Sequence, residues 1–155
     1  CVESAGQMFD AATSLFYNVD VAIMAAAVAD YTPEQVADKK IKREKTGDMS
    51  LNLKPTQDIA ACLGEMKERY PGKILVGFAL ETNNEQYNAE DKLKRKNLDF
   101  IVLNSLNDAG AGFRHDTNKI SIIDRKGRTD YPLKSKTEVA QDIIDRLVAT
   151  LSPNF

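Results

Sequence analysis

Hydrophobic and polar positions change period several times along the chain, and each change marks an element. From about Ser4 to Tyr17, residues Ala5, Met8, Ala12, Leu15 and Phe16 recur at helical spacing, with Ser4 and Gln7 spaced as a capping box. Val19–Val28 is then a nearly unbroken apolar run of mostly small side chains, which predicts a strand buried on both faces, as in a parallel sheet. After Ala29 the apolar pattern stops, and Asp30–Asp48 carries many charges and one proline. So long a charged connection predicts a lid or an unstructured loop. Met49–Leu53 predicts a short strand through Leu51 and Leu53, and a helix follows from Thr56 with Ile59, Leu63 and Met66 on its core face. Ile74–Ala79 is the second central strand. Asn83 or Asn84 caps a third helix that ends near Lys96, and Phe100–Leu103 is the third strand. Ile120–Asp124 and Thr129–Leu133 flank the turn-like Arg125–Arg128 and predict a hairpin. Ser135 and Glu138 repeat the capping-box spacing, opening a last helix with Val139, Ile143, Leu147 and Leu151 on its apolar face.

Strands alternating with helices predict an α/β fold, a Rossmann-like three-layer sandwich with a mostly parallel sheet and an antiparallel hairpin at one side. No internal repeat or boundary divides the 155 residues, so residues 1–155 are expected to form a single domain. In such sheets ligands bind beyond the carboxyl ends of the strands, which selects the stretches after Val28, Phe78 and Leu103.

Charge narrows the function classes. Lys and Arg total 21 against 23 for Asp and Glu, a net charge of −2, so neither nucleic acid nor a membrane surface is an expected partner. The longest apolar run, Val21–Ala29, is too short to span a bilayer, and the start lacks the pattern of a signal peptide. The cytoplasm is the expected compartment. Cys1 and Cys62 make no disulfide framework, and Cys62 falls among Ile59, Leu63 and Met66, where a buried reduced thiol is expected. His115 is the single histidine, which excludes a His-rich metal site, and no metal ligand is expected. Neither GxGxxG nor GxxxxGK[ST] occurs, and no serine has the setting of a nucleophile elbow.

Several residues remain as candidates. Asp30 leaves the first strand, and Lys39, Lys40, Lys42 and Arg43 follow it; they form either a solvated charged loop or a basic arm that closes over a polyphosphate. Lys92 and Lys96 stand four apart on one helix, a mildly repulsive spacing that an anionic ligand would turn into attraction. Phe78, beside Gly77 at a strand end, either stacks on a base or packs in the core, and Asn104 either bonds a substrate or starts a turn.

Taken in order, these segments resemble the phosphopantothenate–cysteine ligase family (phosphopantothenoylcysteine synthetases) of coenzyme A biosynthesis, the C-terminal domain of bacterial bifunctional DNA/pantothenate metabolism flavoproteins. The resemblance lies in Ala26–Tyr31, Lys40–Lys42, Gly77–Thr82, Lys96–Asp99, Val102–Asn104 and the stretch from Gly112 and Phe113 to Asn118. It implies activation of the 4′-phosphopantothenate carboxylate by CTP or ATP with Mg²⁺, then attack by the amine of cysteine. A homodimer is also implied, with a fused or associated flavin decarboxylase whose FMN belongs to an upstream domain and not to these residues. By position, Lys40 matches the family's catalytic loop lysine, and Lys92 and Lys96 its helix-borne nucleotide ligands. Met24, Ala25, Ala26, Asp30, Gln57, Asp58, Ile59, Ala60 and Phe78 match nucleotide-contacting positions, and Ala26 with Asn104 is expected at the substrate. Many relatives carry proline where this chain has Gln57. The chain opens on Cys1, and no residue matches the family's glycine-rich first loop or the asparagine that stabilises the acyl-nucleotide. These residues are therefore expected to lack the N-terminal portion of their domain and to be inactive alone. The alternatives are a non-catalytic nucleotide-binding or assembly module and, disfavoured by the missing fingerprint, a Rossmann oxidoreductase.

Overall fold

The computed structural model describes residues 1–42, 49–105 and 115–151. Among these, a five-stranded sheet is built from β1 (Val21–Met24), β4 (Ile74–Glu81), β5 (Phe100–Ser105), β7 (Ile120–Asp124) and β8 (Gly127–Asp130), in the order β1-β4-β5-β7-β8. The first three strands are parallel, and β7 and β8 add antiparallel to β5. Two short ribbons lie outside the sheet. One pairs β2 (Tyr31–Pro33) with β3 (Leu53–Pro55), the other β6 (Thr117–Asn118) with β9 (Lys134–Ser135).

The alternation of side chains along the strands sorts the core into two layers. Leu75, Ala79, Ile101, Leu103 and Ile123 point to one face and meet Phe16, Ile59, Leu63, Ala89 and Leu93. Those five come from α1 (Ala5–Phe16), α2 (Ile59–Lys67) and α3 (Glu85–Arg95). Ile74, Val76, Phe100, Val102, Ile120 and Ile122 point to the other face and meet Val139, Ile143 and Leu147 of α4 (Lys136–Leu151). Helices on both faces make the expected three layers.

Capping begins both end helices as their spacing predicts. Ser4 Oγ accepts from Gln7 N at 3.2 Å, while Ser135 Oγ accepts from Glu138 N and the Glu138 carboxylate takes Ser135 N at 3.0 Å. The end of α3 is closed by a left-handed residue. Asn97, at φ 48°, lets its own N–H reach Lys94 O and the Leu98 N–H reach Leu93 O. This is the six-residue Schellman closure with asparagine in the position usually held by glycine, sealed by the contact of buried Leu93 and Leu98.

Several expectations are corrected. β1 spans Val21–Met24 only and is half exposed, Ile23 retaining 40% exposure, rather than buried on both faces. It is an edge strand, paired with β4 alone among the described residues, so its far side has no neighbouring strand to cover it. The strand expected over Met49–Leu53 begins at Leu53 instead, where the ladder with Tyr31–Pro33 supplies its hydrogen bonds. That partner strand lies inside the charged stretch read as loop. α2 starts at Ile59 because Asp58, not Thr56, caps it. The hairpin's second strand runs Gly127–Asp130, since Gly127 already pairs with Asp124 and the turn closes sooner than expected. Leu15 and Leu151 are exposed, and Phe9 takes the place of Leu15 on the packed face; one residue step turns a helical side chain about 100°. Asn84 holds the N-cap position without a side-chain bond, and Cys62 is half-buried rather than buried. Arg43, Gly112 and Phe113 lie outside the described residues. No helix among the described residues is long and apolar enough to cross a membrane.

Asp99 joins three elements at the base of the sheet. Its Oδ2 accepts from the buried Leu75 N–H at 2.7 Å and from Lys67 Nζ at 2.8 Å, tying β4 and the end of α2 to the start of β5. Removal strands a buried donor and a partly buried cation together. Asp99→Ala is expected to lower stability by about 2–3 kcal/mol, and Asp99→Asn by clearly less, as measured by urea unfolding.

Candidate functional site

The three parallel strands end on one side of the sheet. After Met24, the Ala25 N–H donates back to Ile23 O at 3.1 Å, which turns Ala25–Asp30 out of the sheet. Thr56 then holds that segment against the entry to α2: its hydroxyl donates to Ala29 O at 2.6 Å and its N–H to Asp30 O at 2.9 Å. Phe78 and Asn104 stand toward the carboxyl ends of β4 and β5, α3 contributes Lys92, and Lys96 caps its end. Together these residues enclose a cavity of about 610 Å³, lined also by Met24, Ala25, Ala26, Gln57, Asp58, Ile59 and Ala60. Such a volume suits a small molecule.

Both lysines are already partnered. Lys92 Nζ donates to Glu81 Oε1 at 2.5 Å, and Glu81 Oε2 takes Asn88 Nδ2 at 3.0 Å. Lys96 Nζ donates to Asp58 Oδ1 at 3.0 Å, the same oxygen that caps α2 through Ala61 N at 3.1 Å. Burial pushes the Glu81 carboxyl up, but the bonds from Lys92 and Asn88 and the Lys92 charge outweigh it and hold the group below its ordinary value. Asp58 is likewise raised by burial, then carried below its ordinary value by Lys96, the Ala61 N–H and Arg95. Both carboxylates are therefore ionised at neutral pH. The repulsion expected between Lys92 and Lys96 is offset within the fold, with no need of an anion.

A family model described as the DNA/pantothenate metabolism flavoprotein C-terminal domain matches residues 1–151. The chain belongs to this family. A coenzyme A biosynthesis bifunctional protein CoaBC from Bacillus subtilis (strain 168) is 43% identical over 149 residues, 96% of this chain and 36% of that protein. A cysteine/cysteine sulfinic acid decarboxylase from an unknown prokaryotic organism is 57% identical over 148 residues, 95% of this chain and 40% of its own length. Among solved structures, the C-terminal domain of a coenzyme A biosynthesis bifunctional protein CoaBC superposes with a TM-score of 0.77 at 35% identity. That match covers 99% of this chain and 65% of the other. The chain thus spans well under half the length of these two curated relatives.

Within this family domain, the residues named from sequence fall into two groups. Met24, Ala25, Ala26, Asp30, Gln57, Asp58, Ile59, Ala60, Phe78, Lys92, Lys96 and Asn104 all line the one cavity. Lys40 does not: it is exposed on the connection between β2 and β3. Phe78 packs against the α4-side core, as the second of its readings has it, and also lines the cavity. Sequence reasoning missed Glu81, Asn88, Thr56 and Asn118 as supports of the lining residues. Asn88 and Lys92 lie one helical turn apart, and that spacing could have suggested a shared acceptor. Nothing local marks Thr56 or Asn118. Among the described residues no group of three or more His, Cys, Asp or Glu could hold a metal ion.

Proposed function

We propose that this domain binds the triphosphate of CTP or ATP in the 610 Å³ cavity and serves the ligation of 4′-phosphopantothenate to cysteine. The reading is supported most by one observation: Asp30, Phe78, Lys92 and Lys96, named from three separate segments, surround a single cavity beyond the carboxyl ends of parallel strands. A carboxylate is a poor electrophile. Its oxygen attacks the α-phosphorus of the nucleotide, pyrophosphate leaves, and a mixed anhydride forms. The cysteine amine then attacks the acyl carbon, nucleoside monophosphate leaves, and an amide results.

Each role follows from residue chemistry. Lys92 and Lys96 neutralise charge growing on the pyrophosphate. Ala25, Ala26 and the Gln57–Ala60 turn offer backbone groups and little bulk to the nucleotide, and Phe78 offers a ring face to the base. Mg²⁺ fits this donor set only as a companion of the phosphates, because Asp58 and Glu81 are engaged with lysines and Asp30 is the lining carboxylate that remains. Ala26 and Asn104 face the acyl substrate. Lys40, on the β2–β3 connection, is the residue this reading assigns to catalysis. In this reading the 155 residues form one domain of a cytoplasmic homodimer, and FMN belongs to a fused or associated decarboxylase.

Calorimetric titration of the chain with CTP and ATP, with and without Mg²⁺, is expected to give saturable binding that weakens with salt. Absence of binding by both nucleotides would overturn the reading. No residue supplies the family's glycine-rich loop, so these residues alone are expected to bind nucleotide without releasing pyrophosphate. Pyrophosphate release that requires 4′-phosphopantothenate would refute that expectation of inactivity. In the intact enzyme, Lys40→Gln should impair turnover more than folding. A second reading arises from the relative named a cysteine/cysteine sulfinic acid decarboxylase. It predicts CO₂ release from cysteine sulfinate and no affinity for nucleoside triphosphates.

A further inference from the structure

Asn104 lines the cavity, but what it offers a ligand depends on how its amide is turned. A primary amide carries an acceptor oxygen and a donor nitrogen, and half a turn exchanges them with almost no change of shape. Asn118 on β6 makes the choice. The backbone N–H of Lys119 is an obligatory donor, and it donates to Asn118 Oδ1 at 3.0 Å. That leaves Nδ2 on the other side of the Asn118 amide, where it donates to Asn104 Oδ1 at 3.1 Å. With its oxygen engaged, Asn104 has its Nδ2 left for the cavity.

The base of this relay is held in place. Asn118 pairs with Lys134 across the β6–β9 ribbon, and Lys136 N donates to Asp116 O at 2.9 Å beside it. The Ser135–Glu138 box then anchors the ribbon to the start of α4. A backbone donor on a fixed ribbon thereby sets the polarity of a side chain on a different strand.

We propose that Asn118 is a positioning residue that fixes Asn104 as a hydrogen-bond donor toward the cavity, so the ligand group lying there must be an acceptor oxygen. Resting on the function proposed above, that group is the carboxylate of 4′-phosphopantothenate. A neutral amide donor suits a carboxylate that must attack: it orients the oxygen without the full charge of an ammonium, which would blunt the nucleophile. The lysines remain for the phosphates.

The test compares three variants by calorimetric titration with 4′-phosphopantothenate, with wild-type CTP binding measured separately. Asn118→Ala frees the Asn104 amide to take either orientation, so affinity should fall by only about twofold. Asn118→Asp keeps an acceptor for Lys119 N but presents only oxygen to Asn104. It forces the amide to turn over, and affinity should fall by about tenfold or more. In an Asn104→Ala background, Asn118→Asp should have almost no further effect, because its route to the ligand is gone. Equal losses in the Asn118→Ala and Asn118→Asp variants would overturn the proposal, as would a full loss from Asn118→Asp in the Asn104→Ala background. Failure of the wild-type chain to bind 4′-phosphopantothenate while it binds CTP would overturn it too. Failure to bind CTP itself would instead sink the nucleotide reading.

Discussion

Replacing Lys92 and Lys96 together by glutamine is expected to weaken CTP binding by about a hundredfold or more. A charge-assisted contact to phosphate is worth about 1.5–3 kcal/mol, or roughly 10- to 100-fold for each lysine. Loss of the cations also changes the sign of the site. Asp30 and Asp58 stay in the lining and Glu81 stands behind Lys92, so carboxylates without the lysines that now partner Asp58 and Glu81 would be left beside the triphosphate. The fold should tolerate the change. Asp58 still caps α2 through Ala61 N and Glu81 still accepts from Asn88, so a stability loss of only about 1 kcal/mol per ion pair is expected. Calorimetric affinity beside thermal unfolding separates the two effects. Nearly unchanged CTP affinity in the double variant would remove both lysines from nucleotide binding.

Gly64→Ala should cost more stability than any helix-propensity argument suggests. Alanine at an interior helical position ordinarily gains about 1 kcal/mol over glycine. Here a Cβ would stand 2.1 Å from Lys96 O and 2.8 Å from Lys96 C, backbone atoms that cannot rotate away. Overpacking of this kind costs about 1–3 kcal/mol, occasionally more, and contact with main chain puts it at the upper end. The net expectation is a loss of about 2 kcal/mol, or roughly 4–8 °C in Tm for a chain of this size. The same contact has a functional consequence. Gly64 O accepts from Asn97 Nδ2 at 3.1 Å, so α2 and the end of α3 are drawn together where Asp58 meets Lys96. Displacement of that joint should lower CTP affinity in the Gly64→Ala variant as well. A rise in Tm would show that the helices separate freely.

Most of this fold is legible in sequence because its core strands are buried on both faces and its end helices carry capping boxes. Ile74–Ala79 and Phe100–Leu103 read correctly since continuous apolar runs leave few alternatives, and Ser135 with Glu138 marks α4 by local chemistry alone. Tertiary pairing decides where the reading slips. β2 and β3 have exposed, unpatterned sequences and exist as strands only because Tyr31–Pro33 finds Leu53–Pro55 across a long connection. The apolar run at Val21 promises a central strand, whereas its place at the sheet edge is a property of neighbours and not of its residues. In the cavity, the lining residues were readable by resemblance, and their supports were not. Glu81, Asn118 and Gly64 act through contacts 11, 14 and 32 positions away, to Lys92, Asn104 and Lys96, and no local pattern announces those distances.

That distant segments meet at one anion-binding cavity is tested most directly by ¹H–¹⁵N correlation spectra of the chain titrated with CTP and Mg²⁺. Backbone signals of Ala25, Ala26, Asp58, Ala60 and Phe78 are expected to move together along one saturation curve, while those of α4 and the β7–β8 hairpin stay still. Shifts that scatter over separate surfaces, or that gather on the hairpin and leave those five residues unmoved, would contradict the account.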